Sequence, residues 1–553
     1  MSARRASTRK RRPQKTSPRP AAAGAAAAPA PAAAPADLAR RYFIYVVVAM
    51  VVAAAILSIL DIQRYSDYYG GRFDMGNMVQ AVYNTAHGHF LQITTADGAG
   101  KQVSRLGSHV DPILAVFAIP WLVWPSPIML LVAQAAIVAL AAWPAYRLGL
   151  RVLGDARAAF FLSLALLLYP PLQYAVLNEF HPVTLAIPFL LFAFVFIDEG
   201  HWWRAVPFLV LAALCKEEIP AVIAVMGAYF ALRKRSWRPL ILTAVAAAYF
   251  VVAVKVVLPH YSPGGSPFLS RYADLGSSVG GIGANVVLKP GVTLGHLFAW
   301  SNLRYWFQLL WPFGFSSLLS PLTTLIAAPE YLLNALASNG YQRSYEFHYV
   351  AGEVPFVFAG AVLGVARARD WLARSGRRTR RSSKRASSVS IVTLATVVLG
   401  TAVLANFLLG PLPFSLPGAH YSGRSYAVTG HAKVLDMALK MIPAGATVST
   451  ENDAGSHLSA RRVVYTFPSI NNAQWVIVDQ KNPFVYDHRD EVGHSEALGA
   501  LVLNQNYQSV FARDGVYVFK RVAGPASTPA GKTVVPYLTP SPAASPTATP
   551  AAP

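Results

Sequence analysis

The sequence predicts an all-α, polytopic membrane protein that carries a small extracytoplasmic α/β domain at its C-terminus, and three observations predict it. Of 553 residues, 54% are hydrophobic and only 13% charged, with a mean hydropathy of +0.38, a balance outside that of ordinary soluble domains. The apolar residues come in long blocks, most of them near the roughly 20 residues a spanning helix needs. The net charge of +22 is concentrated: Arg4 to Arg41 holds ten Lys/Arg against one Asp and Arg367 to Arg385 nine against one, so two segments supply 17 of the 22. Charge so placed argues against a nucleic-acid surface and for the cytoplasmic flanks of membrane spans.

In chain order, residues 1–41 are basic and Ala/Pro-rich, with too little apolar surface to fold, and are expected to form a disordered cytoplasmic arm. Tyr42 to Leu60 carries no charge and, because the Ala/Pro stretch precedes it, reads as a retained signal anchor rather than a cleaved signal. Further apolar runs begin near Pro127, Arg157, Pro182, Val206, Ile219, Pro239, Arg304, Leu322, Val350 and Ser390, giving about eleven transmembrane helices within 42–410. With the N-terminus inside, Arg147, Arg151 and Arg157, and Arg233, Lys234, Arg235 and Arg238, share the cytoplasmic face with the two large clusters. This parity requires Pro112 to Trp124 to lie along the outer interface instead of crossing. It makes residues 61–126 an outer loop, in which Phe73 to Phe90 spaces Met75, Met78, Val82 and Tyr83 as an amphipathic surface helix would.

Residues 411–522 have the composition of a soluble domain, placed outside by the same parity. Strands are expected at Ala446 to Thr450, Val463 to Phe467, Trp475 to Asp479, Ser509 to Arg513 and Gly515 to Lys520. Helices are expected at Ala432 to Met441 and Glu496 to Asn504. Residues 523–553 form a Pro/Thr/Ser/Ala tail expected to be disordered. A single cysteine, Cys215, excludes an intramolecular disulfide and any cysteine-based metal cluster.

Ionisable residues at the edge of a bilayer are costly, and each is a functional hypothesis by default. Five groups qualify, all expected on the outer face: Arg72 and Asp74, His109 and Asp111, Glu179 and His181, Lys216 with Glu217 and Glu218, and Glu346 with His348. Plainer readings compete. Lys216 to Glu218 would serve as an ion pair capping a helix end, Glu179 and His181 as a surface loop pair, and His87 and His89 as interfacial residues. Asp198 and Glu199 fall inside and read as ordinary loop charges. Asp74 stands out because it opens the surface helix. Such groups can bind a divalent cation, act as a general base or relay protons. No Gly-rich phosphate loop, metalloprotease helix or Gly-x-Ser-x-Gly elbow is evident, which leaves ATP-driven transport and common hydrolases without support.

Phe73-Asp-Met-Gly-Asn, Gln80-Ala-Val-Tyr-Asn-Thr-Ala-His-Gly, Ser108-His-Val-Asp-Pro, Asn178-Glu-Phe-His-Pro, Lys216-Glu-Glu, Pro329-Glu-Tyr-Leu-Leu-Asn and Tyr341-Gln-Arg-Ser-Tyr-Glu-Phe-His-Tyr occur in that order. In these motifs the chain, from about Tyr42 to Val522, resembles the DUF2079 family of bacterial membrane proteins, itself similar to the GT-C class of membrane glycosyltransferases. The resemblance implies a GT-C-like transmembrane domain in the inner (plasma) membrane, with a catalytic acid early in the first outer loop, the place of Asp74. It also implies a polyprenyl-phosphate sugar donor and a glycan, lipid or protein acceptor. Lys216, Arg304 and Arg343 would then hold the departing phosphate, and Glu179, His181, Glu217, Glu346 and His348 would position the sugar or a metal. The paired acids of some GT-C first loops are not adjacent here, which leaves a Mg or Mn requirement open. A transporter or flippase would need pseudo-symmetric halves and mid-membrane charges, neither of which is apparent. A non-catalytic envelope-assembly role would rest on 411–522 alone.

Overall fold

The computed structural model of the chain describes residues 35–95, 100–263, 267–379, 389–414, 426–481 and 491–522. The tail, most of the N-terminal arm and the Arg380 to Arg385 part of the basic run lie outside these residues. Among the described residues, five helices are long and apolar enough to cross a membrane: Ala36–Ser66, Pro127–Leu153, Pro182–Glu199, Pro239–Tyr261 and Ile391–Leu409. Ala156–Leu167 and Pro170–Leu177 make a sixth when taken as one span bent by 44°. The bend falls at Pro170 and Pro171, which have no amide to donate to the preceding turn. The other expected spans fall on Trp202–Ala213, Ile219–Lys234, Trp300–Leu310, Ala328–Leu336 and Val354–Thr379. The first four are short for a bilayer on their own, and the last runs into the Arg-rich segment. Length and composition thus establish a multi-pass helical membrane protein and support five or six spans outright.

Burial sorts these helices. Pro182–Glu199 is enclosed along most of its length, whereas Pro239–Tyr261 leaves Leu240, Ile241, Val245, Val251 and Val256 exposed, an apolar stripe that suits lipid rather than water. Helix length also separates two polar zones. Glu179 and His181 precede Pro182, while Asp198 and Glu199 close the same helix, about 27 Å away at 1.5 Å per residue. At that far end Arg147 pairs with Glu199 at 2.6 Å, and Arg151 and Arg233 pair with Asp198 at 3.0 and 3.1 Å. Asp198 and Glu199 are therefore not free loop charges: they end a helix and neutralise the basic residues gathered around them.

Two pieces sit at the near end. The segment after the first helix holds a turn at Arg72–Gly76, a helix at Asn77–Ala86 and a hairpin of β1 (Gln92–Thr94) and β2 (Gln102–Ser104). Pro112–Val123 follows as two short helical pieces with Ile119, Leu122 and Val123 exposed. The C-terminal part is a five-stranded sheet of β3 (Val448–Thr450), β4 (Val464–Thr466), β5 (Trp475–Asp479), β6 (Tyr507–Arg513) and β7 (Val516–Arg521), in the order β4-β3-β5-β7-β6. The first three strands are parallel and the β6–β7 hairpin runs antiparallel. Alternation along β5 sends Ile477 to the face packed by the Gly430–Leu439 helix, and Val476 and Val478 to the face packed by Glu491–Val502.

Candidate active site

Asp74 lies on the Arg72–Gly76 turn, a wide coil closed by the Gly76 amide donating to the Gly71 carbonyl at 2.9 Å. Its free amides are taken up by two distant side chains. The Glu179 carboxylate accepts from Met75 at 2.8 Å and from Gly71 at 3.3 Å, and the Asn452 carbonyl oxygen accepts from Phe73 at 3.1 Å. Met75 and Arg72 are buried on either side, whereas the Asp74 side chain is 53% exposed, so a fixed backbone holds out one accessible carboxylate. Glu179 adopts a positive φ of 58°, a strained conformation for a residue with a side chain, in reaching the turn.

Facing Asp74 is His181. Its Nδ1–H donates to the Asn178 carbonyl at 2.7 Å, which leaves Nε2, buried and without a hydrogen bond among the described residues, 3.9 Å from the Asp74 carboxylate. That distance exceeds a hydrogen bond but suits an ion pair. Desolvation by the protein packed behind it works against an Asp74 anion although the side chain is half-exposed, yet His181, with Arg105 and His109, outweighs it and holds the carboxyl below the ordinary aspartate range. Glu179 moves the other way, pushed well up by burial and by the Asp74 charge. Two carboxyls driven apart in this manner are suited to different roles, the depressed one being the base at neutral pH.

The polar network continues from His181. His348 stacks on it with ring centroids 3.6 Å apart and hydrogen-bonds the Asn178 side chain at 3.2 Å. Burial, then the charges of His181, Lys216, His109 and Arg271, push His348 well below the usual histidine value, so it stays neutral. His109 bonds Glu217 at 2.8 Å, Glu217 also accepts the Val110 amide at 2.9 Å, and Lys216 pairs with Glu218 at 2.6 Å. Burial opposes the Glu217 anion, but His109 and Lys216 hold its carboxyl down at about 2. Asp111 is buried against Arg105 at 3.0 Å.

The family model "Predicted membrane protein (DUF2079)" matches residues 64–518. The chain belongs to the DUF2079 family. No curated protein matches it. Two solved structures resemble this DUF2079 protein: ArnT from Cupriavidus metallidurans bound to undecaprenyl phosphate (14% identity, TM-score 0.48), and the same protein in the apo state (13%, 0.45). Each alignment covers 87% of this chain and 99% of the other. At that distance the likeness says nothing of chemistry.

In the DUF2079 chain the fold links Asp74, His109, Asp111, Glu179, His181, Lys216, Glu217, Glu218 and His348 through a chain of pairwise electrostatic contacts. Arg72 turns away: its guanidinium donates to the Thr94 and Val464 carbonyls at 3.1 and 2.6 Å, tying the outer hairpin to β4. Arg304 is exposed beside Tyr345, and Glu346 neighbours the same tyrosine. Arg343 is half-buried, with an Nε that has no hydrogen bond among the described residues. Sequence reasoning assigned no role to Arg105, to Asn452, which with Thr450 and Glu451 follows a strand but completes no triad, or to Glu330. Glu330 is buried within reach of Lys216 and Glu218, and its place in Pro329-Glu-Tyr, a carboxylate in an apolar run, was the available signal. Among the described residues no three of His, Cys, Asp and Glu converge where a metal ion could sit.

Proposed function

We propose that this protein is a GT-C-like glycosyltransferase that moves a sugar from a polyprenyl-phosphate donor to an acceptor on the extracytoplasmic face of the bacterial plasma membrane. The observation that carries this reading is the Asp74–His181 couple, an accessible carboxylate kept anionic at 3.9 Å from a buried imidazole. In this scheme an acceptor hydroxyl adds to the anomeric carbon as the bond from that carbon to the phosphate oxygen breaks through an oxocarbenium-like state. The hydroxyl proton passes to Asp74, and polyprenyl phosphate leaves with the bonding pair. His181 faces and orients Asp74, while Lys216, Arg304 and Arg343 are assigned to the leaving phosphate, where cations fixed in advance lower the barrier most. His109, Glu217, Glu218, Glu346 and His348 are assigned to positioning the sugar. The basic groups at the far end of the bundle support a cytoplasmic N-terminus and an extracytoplasmic site and sheet.

The test uses purified protein in proteoliposomes with a panel of polyprenyl-phosphate sugars and with lipid, glycan and protein acceptors. Acceptor-dependent release of polyprenyl phosphate is expected from at least one donor. Folded protein that releases none from any donor overturns the reading.

A further inference from the structure

We infer that the C-terminal sheet domain is a working wall of the Asp74 site, and that Asn452 is the positioning residue through which it sets the Asp74 turn. The inference rests on the function proposed above only for its activity readout. Asn452 opens the Asn452–Leu458 helix just beyond β3, and β3 has β4 on one side and β5 on the other. The chain leaves β3 toward β4 and then crosses back to β5, so this is the point where strand order reverses. In open α/β sheets that crevice receives a ligand. Here it receives the protein's own 71–76 turn.

The contact is made by complementary parts on both sides. The Asn452 oxygen takes the Phe73 amide at 3.1 Å while its amide group donates to Asp453 at 3.2 Å, so the side chain is oriented at both ends. Gly455 allows the approach: a Cβ there would lie 2.6 Å from the Arg72 Cβ, and that atom moves only with the turn's own backbone. Around this seam the docking is dense. His457 stacks between Tyr65 and Tyr68, Tyr68 donates to Asp436 at 2.8 Å, and Asp67 accepts from both the amide and the hydroxyl of Thr429 at 2.8 Å. Glu179 thus fixes the turn from the membrane side and Asn452 from the sheet side. Without Asn452 one of the three amides that hold the turn loses its partner next to the residue bearing the carboxylate. The expected consequence is a misplaced base and not an unfolded protein, since an error of about 1 Å in a reacting group costs on the order of 100-fold in rate.

Asn452→Ala, Asn452→Asp and Gly455→Ala decide it in the full-length protein. Asn452→Ala is expected to lower kcat about tenfold or more with the donor KM and Tm nearly unchanged. Asn452→Asp, which keeps an oxygen for the Phe73 amide but replaces the bond to Asp453 with carboxylate repulsion, recovers part of the rate lost in Asn452→Ala. Gly455→Ala wedges the domain off Arg72 and lowers kcat likewise. Hydrogen exchange over residues 71–77 supplies a readout free of any assumed reaction: faster in Asn452→Ala, less so in Asn452→Asp. Wild-type kcat and exchange in Asn452→Ala overturn the inference, as does a Tm loss shared equally by the Ala and Asp variants. Where no donor supports transfer by wild-type protein, the function fails separately and exchange alone decides: unaltered exchange in Asn452→Ala overturns the positioning role.

Discussion

At the scale of single residues, the Asp74 environment makes a prediction about pH. A carboxylate whose pKa is depressed keeps its anion to lower pH, so a rate that needs the anion falls only when pH drops through that lowered value. His181 is the largest favourable influence holding Asp74 down. Its replacement in His181→Ala should raise the Asp74 pKa and move the acid limb of kcat/KM to higher pH. A limb that does not move separates His181 from the base. The sequence made Asp74, Glu179, His181 and Lys216 legible because charges beside apolar runs are conspicuous. Their partners were not legible, since His109 meets Glu217 across 108 residues and Phe73 meets Asn452 across 379. Arg72 shows the limit of adjacency: two positions from Asp74, it serves the hairpin and β4 instead.

At the scale of elements, close packing governs where helices can meet. Val354–Thr379 crosses the Ser316–Leu319 turn so tightly that a Cβ on Gly364 would lie 1.8 Å from the Ser316 carbonyl oxygen. Backbone cannot swing aside as a side-chain tip can. Gly364→Ala should therefore destabilise the protein by about 1–3 kcal/mol, the usual cost of overpacking, seen as a lower Tm in detergent, and an unchanged Tm would contradict this packing. Element type was well read in the C-terminal part: all five expected strands exist, Trp475–Asp479 with its predicted bounds. Strands there read as short β-branched apolar runs, continuously buried along β3, β4 and β5 because helices cover both faces of the sheet. The Asn452–Leu458 helix was missed because its seven residues, Asn-Asp-Ala-Gly-Ser-His-Leu, carry no apolar stripe. In the membrane part the apolar runs were found where expected, but a helix buried among others need not have the length of a span, so composition could not give the count.

For the whole molecule, the union of sheet and helical bundle is the feature on which the proposed function rests. His457, between Tyr65 and Tyr68, is pushed down to about 4 by burial, against a usual value of 6.5. Released from the seam it binds a proton below about 6.5, and in place it does not. Stability from this contact is therefore complete above pH 6.5 and is lost as pH falls toward 4. The drop in Tm between pH 7 and pH 5 should shrink in His457→Phe, and an equal drop in both proteins would remove His457 from the seam's pH response. All of these interactions converge on one exposed carboxylate, and its removal is the direct test. In proteoliposomes carrying equal amounts of folded protein, Asp74→Asn should transfer sugar about 100- to 10,000-fold more slowly than wild type, with an unchanged Tm. Equal rates from the two would contradict the account.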